Sequence, residues 1–197
     1  MNKKIATLIA GILLVGIVTA GLVPWLSNIV TGTVTVEGPV FYLDGQIGNG
    51  VYHKLLVNEI PKEEIEINWS DGETIKFKSN SLNVDYFYDA KFNFTFYAKA
   101  NATDRRIQMR VTKLNENGSQ GKEICLSGIK NITATQKYSN YELICFSEGI
   151  INLEKGQGFV LEIFGLGENK TDEYWISTGK GYGPNKDRYS RIEVSAA

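Results

Sequence analysis

Residues that could carry out catalysis are scarce in this chain. It contains one histidine, His53, which excludes metal sites built on two or more imidazoles and also the HExxH protease motif. The two cysteines, Cys125 and Cys145, have no histidine near them in the sequence, so neither is expected to be a catalytic thiolate. We therefore expect no enzymatic activity, no catalytic residue and no cofactor, and we expect His53 to lie in a loop or at the surface.

Side-chain oxygens occur in groups that could bind calcium. Asp71 and Glu73 form one such group, and the segments 169–173 and 185–187 form two others. None of the three has the Asp-x-Asp-x-Asp-Gly spacing of a calcium-binding loop. Solvated turns are the expected role of these residues, and the sequence assigns no metal ligand.

Three aromatic residues, Trp69, Trp175 and Tyr182, have the ring types that stack on sugars. Packing in the core or at a sheet edge is the more common role of such rings. The sequence leaves both interpretations open.

The charge balance excludes one class of partner. The chain has 21 basic and 22 acidic residues, a net charge of −1, so it lacks the basic surface that nucleic-acid binding requires. Hydrophobic residues make up 43% of the chain and aromatic residues 11%, which is enough to build a core. We expect a globular protein that does not bind nucleic acid.

The N-terminus predicts export. Two lysines precede an uncharged stretch at 5–26, and Val18 and Ala20 occupy the −3 and −1 positions of a signal peptidase site. We expect residues 1–20 to be a cleaved signal peptide. Because the stretch covers 22 residues, enough to cross a bilayer, the alternative is an uncleaved anchor that extends to Leu26. Only the uncleaved form has the membrane as a partner, and both forms place the remaining chain at the cell surface or outside the cell.

Two further features agree with export. Six Asn-x-Ser/Thr sequons predict a glycoprotein, although β-rich chains are also rich in asparagine and threonine. The sequons are at Asn68, Asn93, Asn101, Asn117, Asn131 and Asn169. An even number of cysteines in an exported chain favours one disulfide, between Cys125 and Cys145.

The chain after the signal is patterned as strands. The clearest period of two runs over residues 84–98, with a break expected near Asp89 because the run exceeds an average strand. Shorter strand-forming runs, separated by turn residues, occur at 33–36, 39–43, 64–69, 74–78, 107–112, 132–138, 141–146, 159–164, 174–177 and 191–194. The pattern predicts an all-β fold, an antiparallel jelly-roll-like β-sandwich over residues 33–197, preceded by an N-terminal hydrophobic signal or anchor helix.

Residues 21–32 form an apolar tail, whereas exposed termini are usually polar. With the following residues they make a β-prone segment, 22–36, in which Val30, Val34 and Val36 mark a candidate donor strand. Such a segment can pair within its own sheet, enter a membrane, or add to the sheet of a neighbouring molecule. Addition to a neighbour gives a head-to-tail homo-oligomer that grows without closing.

The N-terminal motifs resemble those of camelysin/TasA-type biofilm fibre subunits and archaeal bundling pilins. The residues that carry the resemblance are Thr19-Ala20-Gly21, Trp25-Leu26-Ser27 and the strand-forming run 30–36. The resemblance implies a secreted jelly-roll subunit that assembles by donor-strand exchange into a pilus or a biofilm matrix fibre. The alternative is a protein of a different class, a membrane-anchored module that binds cell-surface carbohydrate or mediates adhesion.

Overall fold

The structure, a computed structural model, describes residues 37–47, 52–57, 59–79, 86–88, 90–154, 156–167, 171–178 and 189–196. The predicted signal or anchor and the candidate donor strand with Val30, Val34 and Val36 lie outside the described residues. Asn169 and Tyr182 lie outside them as well. Within the described ranges there is no helix, and hence none long and apolar enough to cross a membrane.

The described residues form fourteen β-strands. They are β1 (Glu37–Ile47), β2 (His53–Val57), β3 (Ile65–Ser70), β4 (Thr74–Ser79), β5 (Tyr86–Tyr88), β6 (Ala90–Ala100), β7 (Arg105–Leu114), β8 (Gln120–Leu126), β9 (Lys130–Ile132), β10 (Ser139–Phe146), β11 (Ile150–Asn152), β12 (Gly158–Gly165), β13 (Glu173–Thr178) and β14 (Arg191–Ala196). The all-β prediction is confirmed for this part of the chain.

The long alternating run behaves as its pattern predicts. In β6, Phe92, Phe94 and Phe96 are at most 1% exposed, whereas the residues between them are half-buried on the other face. A side-chain period of two places the first set in the core and the second set on the outer face. The run divides between Tyr88 and Ala90, as expected, and its first part pairs with β11 in a separate two-stranded sheet.

Twelve strands form one sheet. Its hydrogen-bonded order is β3-β13-β6-β14-β1-β2-β4-β12-β7-β8, with β10 on the second edge of β6 and β9 beside β8 on β7. Seen along the order, β6 is a central strand, because β10 covers one edge while β13 and β14 share the other.

Ring contacts show that this sheet folds over onto itself. The ring of Phe159 on β12 lies 5.4 Å from that of Phe92 on β6 and 6.0 Å from that of Phe41 on β1. β12 and β6 are five places apart in the strand order, which would separate them by about 24 Å in a flat sheet with strands ~4.8 Å apart. The two halves therefore face each other across a common apolar core, in a β-sandwich-like arrangement.

Details of the sheet differ from the sequence prediction. β2 and β4 pair in parallel, so the sheet is mixed rather than entirely antiparallel. The run 132–138 is a strand only as far as Ile132, because the Tyr141 hydroxyl accepts the N–H groups of Thr133 and Ala134 that a longer strand would need.

His53 begins β2 and does not lie in a loop. Its Nδ1 is 2.8 Å from the carbonyl oxygen of Gly45, and its ring lies 5.3 Å from that of Phe77. These contacts give the imidazole a structural role at the β1–β2 junction.

Candidate functional site

A disulfide joins Cys125 on β8 to Cys145 on β10, with an S–S distance of 2.04 Å. Both residues belong to the core. Cys125 lies opposite Val111 on β7, Cys145 lies opposite Phe92 on β6, and residues opposite each other in neighbouring strands point to the same face. Similar alternating sequences, Ile-Cys-Leu-Ser and Ile-Cys-Phe-Ser, therefore turn both sulfurs inward.

The disulfide joins two strands that lie at edges of the folded sheet, β8 and β10, and we call this region the seam. Among the described residues, β8 pairs only with β7 and β10 pairs only with β6. Each strand thus has one edge without a ladder partner in this part of the chain, and the disulfide links the two strands through side chains that point into the core. Unpaired sheet edges are where an additional strand can bind.

A cleft of about 620 Å³ opens beside the disulfide, between β8 and the chain from the end of β10 to β11. We call it the seam cleft. Its apolar lining comes from Ile124, Cys125, Leu126, Phe146 and Ile151. Its polar lining includes two lysines and two glutamates, Lys113, Lys122, Glu123 and Glu148. The volume falls in the range of about 300–1,000 Å³ that is typical of binding clefts.

Two side chains of the seam cleft are unusually exposed for large apolar residues. Leu126 is 46% exposed and Phe146 is 58% exposed, one on each of the two edge strands. Their neighbours Cys125 and Cys145 are buried, because alternation along each strand sends successive side chains to opposite faces. The seam thus presents apolar surface beside a strand edge that no other described strand pairs with.

A second candidate surface lies on the outer face of β3, β13 and β6. Lys99 lies with its Nζ 4.8 Å from the ring centre of Tyr138 and 5.5 Å from that of Trp175, and it forms a 3.2 Å ion pair with Glu66. The Tyr138 hydroxyl donates to the same carboxylate, Glu66. Burial, and then the hydrogen bond to Glu66, raise the pKa of Tyr138 far above its ordinary value. We call these four residues the aromatic patch.

The structure separates two of the three aromatic residues that the sequence grouped for sugar stacking, Trp69 and Trp175. Trp69 is only 4% exposed and stacks on Tyr174 in the core, with ring centres 5.2 Å apart, so it takes the packing role. Trp175 is half-buried on the outer face, in the aromatic patch. Tyr138, which the sequence analysis did not single out, joins it because the turn before β10 brings it beside β6.

Of the residues that the sequence grouped as possible calcium ligands, the structure brings two from different groups close together. Asp71, which follows β3, and Asp172, which precedes β13, are neighbours, because the Asp71 N–H donates to the Asp172 carbonyl at 2.8 Å. Glu73 instead accepts the Ser70 N–H at 2.8 Å within its own turn. Residues 185–187 lie outside the described ranges. No group of three or more His, Cys, Asp or Glu side chains suited to a metal ion occurs among the residues that the structure describes.

The opposite half of the sheet carries a buried carboxylate on its outer face. Glu162 on β12 is 1% exposed and pairs with Lys76 on β4 at 2.8 Å and with Arg110 on β7 at 2.6 Å. Burial alone would raise the pKa of Glu162, but the hydrogen bonds from the two cations outweigh it and lower the pKa. This arrangement ties three adjacent strands together and needs no ligand.

The sequons differ in accessibility. Asn68, Asn101, Asn117 and Asn131 are exposed, and Asn117 lies at the turn between β7 and β8. Asn93 is in the middle of β6, between Ile144 and Glu193, and its Oδ1 is buried without a hydrogen-bond partner. The side chain of Asn101 is engaged, since its Nδ2 donates to the Thr171 carbonyl at 2.7 Å.

Comparison with known proteins gives a likeness of fold only. No protein-family model and no curated protein sequence matches the chain. Among solved structures it is similar to a CocE/NonD family hydrolase from Staphylococcus aureus, with a TM-score of 0.60 and 10% identity over 82% of this chain and 37% of that one.

Two further structures are similar to about the same degree. One is an α-amino acid ester hydrolase, with a TM-score of 0.53, 10% identity, and coverage of 81% of this chain and 36% of that one. The other is an aminopeptidase from a marine sediment archaeon, Thaumarchaeota archaeon, with a TM-score of 0.53, 7% identity, and coverage of 81% and 37%. The chain spans little more than a third of these enzymes, and at such identity a shared fold does not carry an activity with it.

Proposed function

We propose that this protein is a non-enzymatic structural subunit of an extracellular filament, a pilus or a biofilm matrix fibre. Subunits join when the segment 22–36 of one copy adds as a donor strand at the seam cleft of the next. The observation that carries the proposal is the seam itself, where the edge of β8 that has no ladder partner among the described residues borders apolar surface formed by Leu126 and Phe146.

The two surfaces are chemically matched. The edge of β8 presents N–H and C=O groups along one side, and an extended segment can satisfy them while its alternate side chains enter the cleft. Val34 and Val36, two residues apart, would point the same way along such a strand. Each valine buried in this manner contributes about 1.5–3 kcal/mol, before the cost of ordering the tail.

The contact is head-to-tail, so it does not close on itself. One copy supplies the tail and the next supplies the cleft, which leaves a free tail and a free cleft at the two ends of every assembly. Growth is therefore open-ended, as a filament requires.

The proposal also specifies the type of β-fold, the role of the N-terminal segment and the position of the glycans. The folded-over sheet and its largely antiparallel neighbours support a jelly-roll subunit, preceded by an N-terminal hydrophobic helix that acts as a signal peptide. Cleavage after Ala20 frees the donor segment, and exposed sequons place glycans on the outer surface of a secreted glycoprotein.

The test changes each surface separately. Val34→Asp with Val36→Asp removes the apolar face of the tail, and Phe146→Asp places a charge in the cleft at a residue that is 58% exposed. Ile129→Asp is the matched control, because Ile129 is also exposed, at 56%, and does not line the cleft. We expect filaments from the control and none from the other two, by electron microscopy of folded secreted protein.

Mixing the two defective proteins makes the test directional. The cleft variant still has a normal tail, and the tail variant still has a normal cleft, so one pair of surfaces remains intact. We expect dimers that do not grow, measured by light scattering after size-exclusion chromatography. Filaments from either variant alone would refute donor-strand assembly. A lower melting temperature of the monomeric tail variant would instead indicate that the tail pairs within its own sheet.

A second candidate function is carbohydrate binding by a cell-surface module, and the aromatic patch is the observation that favours it. Trp175 and Tyr138 present two rings on one outer face, as sugar-binding surfaces do. This candidate ranks second because Lys99 already lies against both rings. Polysaccharide binding by the secreted protein, lost in Trp175→Ala and kept in Phe146→Ala, would support it, and binding that is indifferent to Trp175 would refute it.

A further inference from the structure

One of the predicted glycosylation sites lies beside the aromatic patch. Asn68 on β3 is directly opposite Trp175 on β13, and Trp175 is in turn directly opposite Lys99 on β6. Side chains that lie opposite each other in neighbouring strands project to the same face of a sheet. The three residues therefore form one row across three adjacent strands, with the tryptophan in the middle.

The burial pattern shows that this row is on the outer face. In β3 the two sequence neighbours of Asn68 are buried, whereas Asn68 itself is exposed. In β13 the two sequence neighbours of Trp175 are fully buried, whereas Trp175 is half-buried. The asparagine amide and the indole ring thus both lie on the solvent side of the sheet.

The position of β3 in the sheet leaves Asn68 accessible. Among the described strands, β3 has a ladder with β13 alone and stands at the end of the strand order. The sequon is Asn68-Trp69-Ser70, and its asparagine is exposed. An exposed asparagine in an edge strand meets the requirement that a glycan be placed at the surface.

A sugar on Asn68 would lie next to the indole ring. Residues directly opposite each other in an antiparallel pair have Cβ atoms about 4.5–5.5 Å apart. The glycan is attached at the end of the asparagine side chain, beyond its Cβ, so the first pyranose starts beside Trp175. The Nζ of Lys99 lies 5.5 Å from the ring centre, and the ring keeps an exposed part that a sugar can cover.

The other sequon asparagines in the described strands have different neighbours. Asn131 on β9 lies opposite Arg106 on β7. Asn93 on β6 has no aromatic residue opposite it on β10 or on β14. Among the sequon asparagines within described strands, only Asn68 lies opposite an aromatic ring.

We propose that the first sugar of a glycan on Asn68 packs on the ring of Trp175 and stabilises the outer face of β3, β13 and β6. The inference rests on the part of the proposed function that makes this chain a secreted glycoprotein, and it does not depend on how subunits assemble. A pyranose has one face of C–H groups, which can cover the apolar indole while its hydroxyl groups stay in water. Covalent attachment already holds the sugar beside the ring, so packing costs little further freedom.

A double-mutant cycle on the native secreted protein tests the contact. Glycopeptide mapping comes first and should find a glycan on Asn68. Asn68→Gln then removes the glycan, Trp175→Val removes the ring, and the double variant removes both. We expect Asn68→Gln to lower the melting temperature by about 2–4 °C when Trp175 is present and by less than about 1 °C in Trp175→Val. Ser70→Ala should give the same result, because it removes the sequon and keeps the asparagine.

Asn131→Gln is the matched control, because it removes a glycan from another exposed strand residue that lies opposite an arginine. Its effect on the melting temperature should be the same with and without Trp175. Proton NMR of the glycan reports the contact itself, since the ring current of an indole shifts the signals of a sugar stacked on it. This shift should be present for the Asn68 glycan and absent for the Asn131 glycan, and it should disappear in Trp175→Val.

The outcomes separate this inference from the function on which it rests. Equal melting shifts for Asn68→Gln in both backgrounds, or an Asn68 glycan without a ring-current shift, would overturn the packing. An unoccupied Asn68 in a protein that carries glycans at other sequons would overturn this inference alone, whereas a protein without any glycan would also refute the glycoprotein part of the proposed function. Circular dichroism checks that each variant is folded, and the ring-current shift in the wild type decides if Trp175→Val does not fold.

Discussion

Removing the disulfide with Cys125→Ala and Cys145→Ala should lower the free energy of unfolding by about 3 kcal/mol. The bond joins positions separated by 20 residues. In the chain-entropy model, cross-linking a loop of that length removes about 3 kcal/mol of conformational freedom from the unfolded chain. For a domain of this size, the loss corresponds to a decrease of about 6–12 °C in the melting temperature.

The position of the bond adds a local effect. Within the described residues β8 and β10 share no hydrogen-bonded ladder, so the disulfide is their covalent link across the seam. Without it, the only hydrogen-bonded ladder that holds β8 among the described residues is the one it forms with β7. We expect faster amide hydrogen exchange in β8 than in the central strand β6, where both edges are paired.

Urea unfolding of three samples provides the measurement: the oxidised wild type, the reduced wild type and the double variant. The reduced wild type keeps both sulfur atoms, so its difference from the variant reports packing, and its difference from the oxidised protein reports the bond. The m-value should rise when the bond is absent, because the unfolded chain then exposes more surface. A loss below about 1 kcal/mol would contradict the argument that the bond acts on the unfolded state, and free thiols in protein kept from reductant would contradict the pairing.

Three further predictions concern the core, the outer face and the sequons. Glu162→Gln should lower the free energy of unfolding by about 1–3 kcal/mol at pH 7, because it leaves two cations without their carboxylate. Because the folded-state pKa of Glu162 is lowered, the greater stability of the wild type is present above pH ~4.3 and disappears as the pH falls through that folded-state pKa. The same dependence of stability on acid pH in the wild type and the variant would contradict this. Gly165→Ala should lower the free energy of unfolding by about 1–3 kcal/mol, because its Cβ would lie 2.5 Å from the buried ring of Tyr174. Gly128→Ala is the control, because a Cβ there would meet no atom within 4 Å, and its free energy of unfolding should stay within about 0.5 kcal/mol of the wild type in the same thermal melts. Glycopeptide mapping should find a glycan at the exposed Asn117 and none at Asn93, whose amide oxygen is buried in β6, and equal occupancy of the two would count against glycosylation being governed by this fold.

Parts of the candidate sites could be predicted from the sequence because they depend on local pattern. The alternation in residues 84–98 determined which side chains of β6 enter the core, since strand geometry sends every second side chain to the same face. The pairing of Cys125 with Cys145 followed from their number. The tail was identified by its own composition, and its role remains a prediction because it lies outside the described residues.

Other features could not be predicted, because they depend on which strands become neighbours. The sequence grouped Trp69 with Trp175 by ring type alone, and it did not indicate that Tyr138, in the turn before β10, would lie with Trp175 against Lys99 of β6. The parallel pairing of β2 with β4 likewise depends on the path of the chain between them.

The sequence by itself determined the secondary-structure class, the core-facing residues of β6 and the cysteine pairing, since each of these follows from residue type and local spacing. Only the tertiary structure decided where unpaired edges remain and which distant side chains converge. The seam cleft combines residues 122–126 with residues 146–151, and the Asp71 N–H donates to the carbonyl of Asp172, about a hundred positions away. Such pairings between distant residues form when the sheet folds over around a shared apolar core. The free energy that favours this arrangement comes from the many apolar side chains buried together in that core.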